Sequence, residues 1–591
     1  MHVVATAGHV DHGKSTLVRA LTGQDPDRLE AERRRGLSIE LGYCWTRIPG
    51  AGDVAFVDVP GHERFVSTML AGVGPVPAVL FVVAADDPWM PQAAEHLAAL
   101  DAFGVEHGVV AVTRCDLADP APMTSLVSRQ LAGTSLRDSK IIAVSARTGQ
   151  GMDDLQSALA AMVGGLPAPD LAAPVRLWVD RRFSLAGAGT VVTGTLPVGR
   201  LHAGDELSAD GVPVRIRALE MLGESADVAA AVARVGLRLG GSAPESLGRG
   251  SALIRADQWH LTAEVDVRVT GSGDVPESPL LHIGSASVAV RARPVGADVY
   301  RLRLDRRLPL HVGDRAVLRD AGGRRLWGAL VLDPAPPVLA RRGAARRRTT
   351  ELAACSGLPD LADELRRRVV ARIGDLRRYG VPVDDRTLDD VAVRAGQWLL
   401  DQRAVPGLQR DLAAAVGAWT VAHPLDPAMP LPALAATLGL PASELVAAIV
   451  PPALRIESGR VRDARATLPA RLLHSLHELE EELTEAPFAA PDAARLAELG
   501  LDKAAVAAAV RAGRLLRVSE TVVLLPGAAD AAAAILSGLP QPFTTSEARV
   551  ALGTSRRVAL ALLALLDARR LTWRLPDDRR KVVALPTGAD A

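Results

Sequence analysis

Gly8-His9-Val10-Asp11-His12-Gly13-Lys14-Ser15 has the spacing G-x-x-x-x-G-K-[ST] of a loop that cradles phosphate. Gly8 and Gly13 permit backbone geometry in which successive N–H groups face the phosphate oxygens. The apolar run VVATA before the loop reads as a strand, and STLVRALTG after it as a helix whose N-terminal dipole favours an anion. In that setting Lys14 reaches the β- and γ-phosphates and Ser15 ligates Mg²⁺. Asp11, His12 and Thr16 complete the nucleotide-binding loop. A second motif, Asp58-Val59-Pro60-Gly61-His62, follows the run VAFVDV. A carboxylate at a strand end can hold the Mg²⁺ shell through water, and the Gly61 N–H can sense a γ-phosphate. His62 falls next to the place of the attacking water. A third, Val112-Thr113-Arg114-Cys115-Asp116, follows GVVAV. Its carboxylate can accept from guanine N1–H and N2–H, a pair adenine does not offer. Ser145-Ala146-Arg147 after KIIAV supplies a backbone contact to O6. The four motifs predict a GTP/GDP site with Mg²⁺.

The elements that must position these residues are legible in the texture of the chain. With 591 residues, several domains are expected. From 1 to 168, five β-type runs alternate with helical segments, which predicts a doubly wound, mostly parallel α/β sheet. From 173 to 256 and 257 to 337, short β runs between Gly and Asp turns predict two consecutive β-barrels. A Pro-rich then basic stretch, 333–350, reads as a linker whose charges are solvated or touch rRNA. Beyond it, amphipathic helices that each end in a short β pair predict winged helices at 350–404, 405–466, 467–527 and 528–591. The fold class is therefore multidomain: an α/β P-loop GTPase domain, two β-barrels and an all-helical/winged-helix array.

Composition removes other classes. Lys plus Arg equals Asp plus Glu at 68 each, so any polyanion site must come from local clustering. Cys44, Cys115 and Cys355 have no paired spacing, which argues against disulfides and zinc. No apolar stretch reaches membrane-spanning length and no leader pattern opens the chain, so a cytoplasmic monomer with no membrane partner is expected.

GHVDHGKST, DVPGHE and the Ser145-Ala146-Arg147 turn resemble the translational GTPases of the elongation factor Tu superfamily. The resemblance implies the roles given above for Lys14, Ser15, Asp58, Gly61, Asp116 and Ser145. It implies that His62, the catalytic residue, places the hydrolytic water rather than deprotonating it. Two positions depart from the family pattern. The base motif, usually Asn-Lys-x-Asp, here has Thr113 and Arg114, whose stem and plane can cover the purine. The switch I threonine that binds Mg²⁺ is Ser38, within Arg35-Gly36-Leu37-Ser38-Ile39.

Three stretches, RGLSIELGY from Arg35 to Tyr43, AADDPWMPQ from Ala84 to Gln92 followed by Glu95-His96-Leu97, and the barrel motif VDRRFSLAGAGTVVTG from Val179 to Gly194, resemble the bacterial selenocysteine-specific elongation factor. By that resemblance Asp180 and Arg181, joined by Arg249, line the pocket for an aminoacyl group. Guanidiniums suit a selenol, which ionises at neutral pH where a serine hydroxyl does not. Elongation factor Tu and the γ subunit of the archaeal initiation factor end after the second barrel, whereas this chain continues. Residues 541–591 carry nine basic and five acidic side chains. The resemblance implies that this last winged helix grips an mRNA stem-loop through Arg556, Arg557, Arg574, Arg579 and Arg580. The implied partners are selenocysteinyl-tRNA, that stem-loop and the ribosome. The competing reading is a nucleotide-gated RNA-binding adaptor with little GTP turnover, motivated by Ser38, Thr113 and Arg114. A duplex-DNA regulator leaves the barrels unexplained.

Overall fold

The computed structural model describes residues 1–26, 38–185, 189–240, 246–320, 322–340, 342–465 and 467–583. Arg35, Gly36 and Leu37, and Ala186 to Ala188 of the barrel motif, lie outside the described residues. The chain forms two compact units, residues 1–392 with 397–401, and residues 393–396 with 402–591. The boundary between them falls inside the segment 350–404.

The first unit begins with a six-stranded sheet: β1 (His2–Ala7), β2 (Gly42–Ile48), β3 (Gly52–Asp58), β4 (Ala78–Ala84), β5 (His107–Thr113) and β6 (Lys140–Ala143). Their order is β2-β3-β1-β4-β5-β6, parallel except for β2 against β3. The helices are α1 (Lys14–Thr22), α2 (Val66–Val73), α3 (Pro91–Phe103), α4 (Ala121–Leu131) and α5 (Met152–Gly164). Continuous apolar runs arise because both sheet faces are covered. Val79, Phe81 and Val83 of β4 enter a core with α2, α3 and α4, and Leu80 and Val82 enter another with α1 and α5. Sequence texture gave five strands. It missed β2, whose mixed run Gly42-Tyr43-Cys44-Trp45-Thr46-Arg47-Ile48 is an edge strand with half-exposed polar positions.

Six strands close the first barrel: β7 (Arg176–Leu185), β8 (Gly189–Leu196), β9 (Glu206–Ala209), β10 (Val212–Met221), β11 (Ala233–Gly240) and β12 (Ala252–Ile254). The order β9-β12-β7-β8-β11-β10 returns to β9. The second is closed by β13 (Leu261–Thr270), β14 (Leu280–Ile283), β15 (Ala286–Pro294), β16 (Val299–Pro309), β17 (Arg315–Arg319) and β18 (Leu326–Asp333). Arg176 donates to both Asp314 oxygens (2.6 and 2.7 Å) across the two barrels.

In the basic stretch after the second barrel Arg342, Arg346 and Arg347 are exposed as expected, but the run is partly helical and Arg348 departs from it. Ala344–Ala353 is a helix, and Arg348 is buried, donating to Asp266 (2.8 Å) and Asp333. Arg301 joins Asp266, while Arg368, from the helix Leu361–Arg368, joins Asp333 and Glu364. Burial pushes the Asp333 carboxyl up, but Arg368, Arg348 and Arg367 together hold it below the usual carboxylate range.

In the second unit, three helices and a hairpin recur. The last set comprises Ala528–Ser537, Thr545–Ala551, Arg556–Ala568 and the strands Thr572–Arg574 and Arg580–Val582. Thr544 and Glu547 form a reciprocal capping box, and the Ser555 hydroxyl accepts from Val558 N–H. The last two sets share one core, in which Leu476, Leu479 and Phe488 meet Phe543, Leu562 and Leu566.

Candidate functional site: a nucleotide cavity and an arginine pocket

The nucleotide motifs converge at the carboxyl ends of the parallel strands, where open α/β sheets hold ligands. A cavity of about 510 Å³ is lined by Asp11, Gly13, Lys14, Ser15, Thr16, Ser38, Gly61, Thr113, Arg114, Asp116, Ser145, Ala146 and Arg147. Gly8, His12, Asp58 and His62 are not in that lining. Gly8 has φ 134°, and a Cβ there would meet Val82 O at 2.1 Å, so β4 excludes any side chain. At Gly61 a Cβ would meet Val10 N at 2.4 Å and Lys14 Nζ at 2.5 Å. Glycine at 61 therefore lets the second motif touch the phosphate loop. Lys14 Nζ donates to Gly8 O (3.1 Å) and His9 O (2.8 Å).

Histidines fix the loop from behind. Gly8 N–H donates to His96 Nδ1 (3.0 Å), and His12 Nε2 lies 3.3 Å from Asp87 Oδ2. Burial lowers the His96 pKa to about 3 and that of His12 to about 4, so both are neutral at pH 7. His96 stands in the sequence only as part of a family-like stretch, because its role depends on α3 packing over β1.

Ser15, Ser38 and Asp58 meet. Ser15 Oγ donates to Asp58 Oδ2 (2.6 Å) and lies 3.1 Å from Ser38 Oγ. Thr6 Oγ1 donates to Asp58 Oδ1 (2.6 Å) and fixes the carboxylate. An all-oxygen donor set of two hydroxyls and a carboxylate fits Mg²⁺.

The two departures in the base motif have physical partners. Thr113 Oγ1 lies 2.8 Å from His12 O and 3.2 Å from Val83 O, tying β5 to the phosphate loop. Arg114, at φ 59°, donates to Asp86 (3.2 and 3.3 Å) and to Asp11 O, so its guanidinium is held beside the cavity. Ser145 Oγ accepts from Thr148 N–H (3.1 Å), shaping the turn that carries Ala146 and Arg147. His62 Nδ1 accepts from Arg64 N–H (3.2 Å) at the start of a short 3₁₀ turn.

The second cluster lies where the sheet meets the first barrel. A bulge between Val179 and Arg181 sets Asp180 apart from the β7–β8 ladder. Asp180 is held by both Arg234 nitrogens and by Thr193 Oγ1 (2.8 Å). The Arg234 guanidinium sits 3.7 Å from the Tyr43 ring centroid. Arg181 donates to Leu41 O (2.9 Å) and pairs with Glu40 (3.0 Å). A cavity of about 240 Å³ opens here, lined in part by Tyr43, Trp45, Arg181, Phe183, Thr193 and Arg234.

Arg249 donates to Thr68 Oγ1 (3.1 Å) and Ser67 O (3.0 Å) on α2; like Asp180 it is outside that cavity's lining, but its charge interacts with those of Tyr43, Asp180 and Glu40. Arg234 is the arginine that holds Asp180. It escaped the sequence reading because ARVGLRLG alternates like any barrel strand, and only the β8–β11 pairing brings Arg234 opposite Thr195, beside Thr193.

The five C-terminal arginines separate into different environments. Arg556 is exposed at the start of its helix. Arg557 donates to Thr521 O and Pro491 O (3.3 Å), bracing the last set of helices against the one before. Arg574 pairs with Asp578 and Arg579 with Asp577 (2.9 Å). Arg580 is buried, donating to Asp567 (2.9 Å), so the expectation that it grips RNA is corrected: it is an internal ion pair of the wing. Among the described residues no helix is long and apolar enough to cross a membrane.

Residues 1–164 match the Elongation factor Tu GTP binding domain, and residues 534–580 match the winged helix of elongation factor SelB. The chain is 39% identical to the selenocysteine-specific elongation factor of Escherichia coli over 58% of this chain and 56% of that one. It is 30% identical to translation initiation factor 2 subunit gamma of Thermococcus kodakarensis, over 55% of this chain and 95% of that one. A crystal structure of a bacterial selenocysteine-specific elongation factor superposes with TM-score 0.74 over 99% of this chain and 100% of that chain; at 23% identity it shows the shared fold. The chain spans about half the length of the selenocysteine-specific relatives it matches. With its phosphate loop and paired barrels, the chain belongs to the translational GTPases that carry an elongation-factor-Tu-type GTP-binding domain, the family of the initiation factor 2 gamma subunits it matches over most of their length, and its last winged helix is similar to that of elongation factor SelB.

Proposed function

We propose that the protein is a GTP-dependent elongation factor that delivers selenocysteinyl-tRNA to the ribosome at recoded UGA codons, tethered to an mRNA stem-loop by its last winged helix. The observation that carries this reading is the cluster of Asp180, Arg181, Arg234 and Tyr43 against the segment that leaves switch I. Arg181 is bonded to Leu41 O and Glu40, so a change in switch I reaches the pocket directly. Around Tyr43 and Asp180, Arg181 and Arg234 with nearby Arg249 outnumber Asp180 and Glu40, which favours a selenolate over a neutral hydroxyl.

In this mechanism the loop N–H groups and Lys14 hold the phosphates, and Asp116 selects guanine. Ser15 and Ser38, with Asp58 behind them, would hold Mg²⁺, which when bound neutralises phosphate charge. Codon recognition brings His62 from its Arg64 contact to orient water at the γ-phosphate. GTP hydrolysis to GDP then loosens Ser38 and Gly61, and through Leu41 the pocket releases its aminoacyl group.

Arg114, held by Asp86 and Asp11 rather than lying free over a base, favours a second reading: a nucleotide-gated RNA adaptor that hardly turns over GTP. Ribosome-stimulated GTP hydrolysis separates the two. Stimulation that vanishes in His62→Ala supports the elongation factor, and its absence in the wild type supports the adaptor.

A further inference from the structure

Among the described residues, Trp573 belongs to no hydrophobic core. It is 63% exposed, whereas the other seven tryptophans are buried or half-buried. It stands on the terminal hairpin directly opposite Lys581, so the two side chains share one face of the wing. The flanking positions face the other way. Thr572 is buried with its hydroxyl on Asp567 (2.6 Å), and Arg580 is buried on the same carboxylate. The hairpin is itself anchored, because Phe543 and Arg580 exchange backbone hydrogen bonds (2.8 and 2.9 Å). A large flat ring thus stands on an anchored hairpin and faces mostly solvent, with Lys581 directly across the ladder and exposed Arg574 and Arg579 on the same hairpin.

We propose that Trp573 and Lys581 form a stacking platform for one unpaired nucleobase, the ring taking the base face and the ammonium its phosphate. The charge across the ladder from the ring selects this occupant over an apolar peptide, and a flat ring favours a splayed base over a paired one. This rests on the proposed RNA-binding role of the last winged helix. It adds that the RNA must present an unstacked base, and it predicts tolerance of base identity, since every base has a π-face.

The test uses the full chain and three labelled RNAs: a hairpin with an unpaired loop, the same stem as a blunt duplex, and the hairpin with 2-aminopurine at each loop position in turn. Trp573→Ala should weaken the looped hairpin roughly five- to a hundredfold with little effect on the duplex. Trp573→Phe should recover most of the loss. One 2-aminopurine position should be quenched by the wild type and stay bright with Trp573→Ala. Lys581→Gln should lower the salt slope by about one. Because Trp573 is exposed, the melting temperature should not move. If Trp573→Ala binds the hairpin as the wild type does while Arg556→Ala loosens it, the platform is overturned and the RNA-binding role stands. An equal loss on hairpin and duplex also overturns stacking. If the wild type binds none of the three, both proposals fall.

Discussion

Thr113→Val is a sharp perturbation because it keeps the shape of the side chain and removes only the hydroxyl. In the protein that hydroxyl faces two buried carbonyls, His12 O at 2.8 Å and Val83 O at 3.2 Å. One net hydrogen bond contributes about 1 kcal/mol, and a carbonyl left unsatisfied in the interior costs about 1–3 kcal/mol. His12 belongs to the phosphate loop, so roughly 2 kcal/mol of support for that loop should disappear. Part will show as a lower melting temperature without nucleotide. The remainder will show as weaker binding, because the loop must hold its shape around the phosphates. We expect the Kd for a fluorescent GDP analogue to rise about five- to thirtyfold. Thr113→Asn should stay within about threefold of the wild type, since its amide can donate to the same carbonyls. The assay is a stopped-flow titration paired with thermal melting. Unchanged affinity and unchanged melting in Thr113→Val would refute the argument that this hydroxyl ties β5 to the loop.

Other expectations follow from the same geometry. Arg580→Ala should destabilise the last winged helix, seen as an earlier unfolding transition, because it leaves Asp567 with the Thr572 hydroxyl but without its counter-ion. Arg556→Ala should leave that transition in place and reduce the salt dependence of hairpin binding by about one. Asp333→Asn removes the charge shared by Arg348, Arg367 and Arg368 and should cost about 3–5 kcal/mol in denaturant unfolding, with little relief from added salt. Acid should unfold the first unit early. His96 titrates near 3 and His12, His282 and His311 near 4 in the fold, all lowered first by burial. Each takes up its proton near 6.5 once unfolded. Stability is therefore full above about pH 6.5 and falls by up to about 1.4 kcal/mol per pH unit per histidine as pH drops toward 4. Denaturation midpoints at pH 7.5 and 5.5 check this, and equal midpoints would contradict it.

The phosphate loop was legible because its chemistry is local. Gly8, Gly13, Lys14 and Ser15 sit within one turn between a strand and a helix, and their spacing alone defines them. The class of fold was legible for a similar reason, since runs such as AVLFVVA advertise a sheet covered on both faces. What the sequence hid depends on pairing across long separations. Arg234 meets Asp180 only because β11 lies beside β8, which in turn lies beside β7. Arg348 reads as part of a solvated basic run until Asp266 and Asp333 are placed beside it. Arg580 looks like its exposed neighbours Arg579 and Lys581, yet the hairpin pleat turns it inward onto Asp567. In each case the residue type was plain and the partner was not.

The central claim is that the GTP-bound protein holds selenocysteinyl-tRNA through a pocket of guanidiniums. The direct measurement compares the affinity of the full chain, with a non-hydrolysable GTP analogue, for one tRNA body charged with selenocysteine or with serine. A charge-assisted hydrogen bond to the selenolate contributes about 1.5–3 kcal/mol, which predicts at least about tenfold tighter binding of the selenocysteinyl form. The preference should be lost in Arg181→Ala. Equal affinity for the two charged forms would contradict the account.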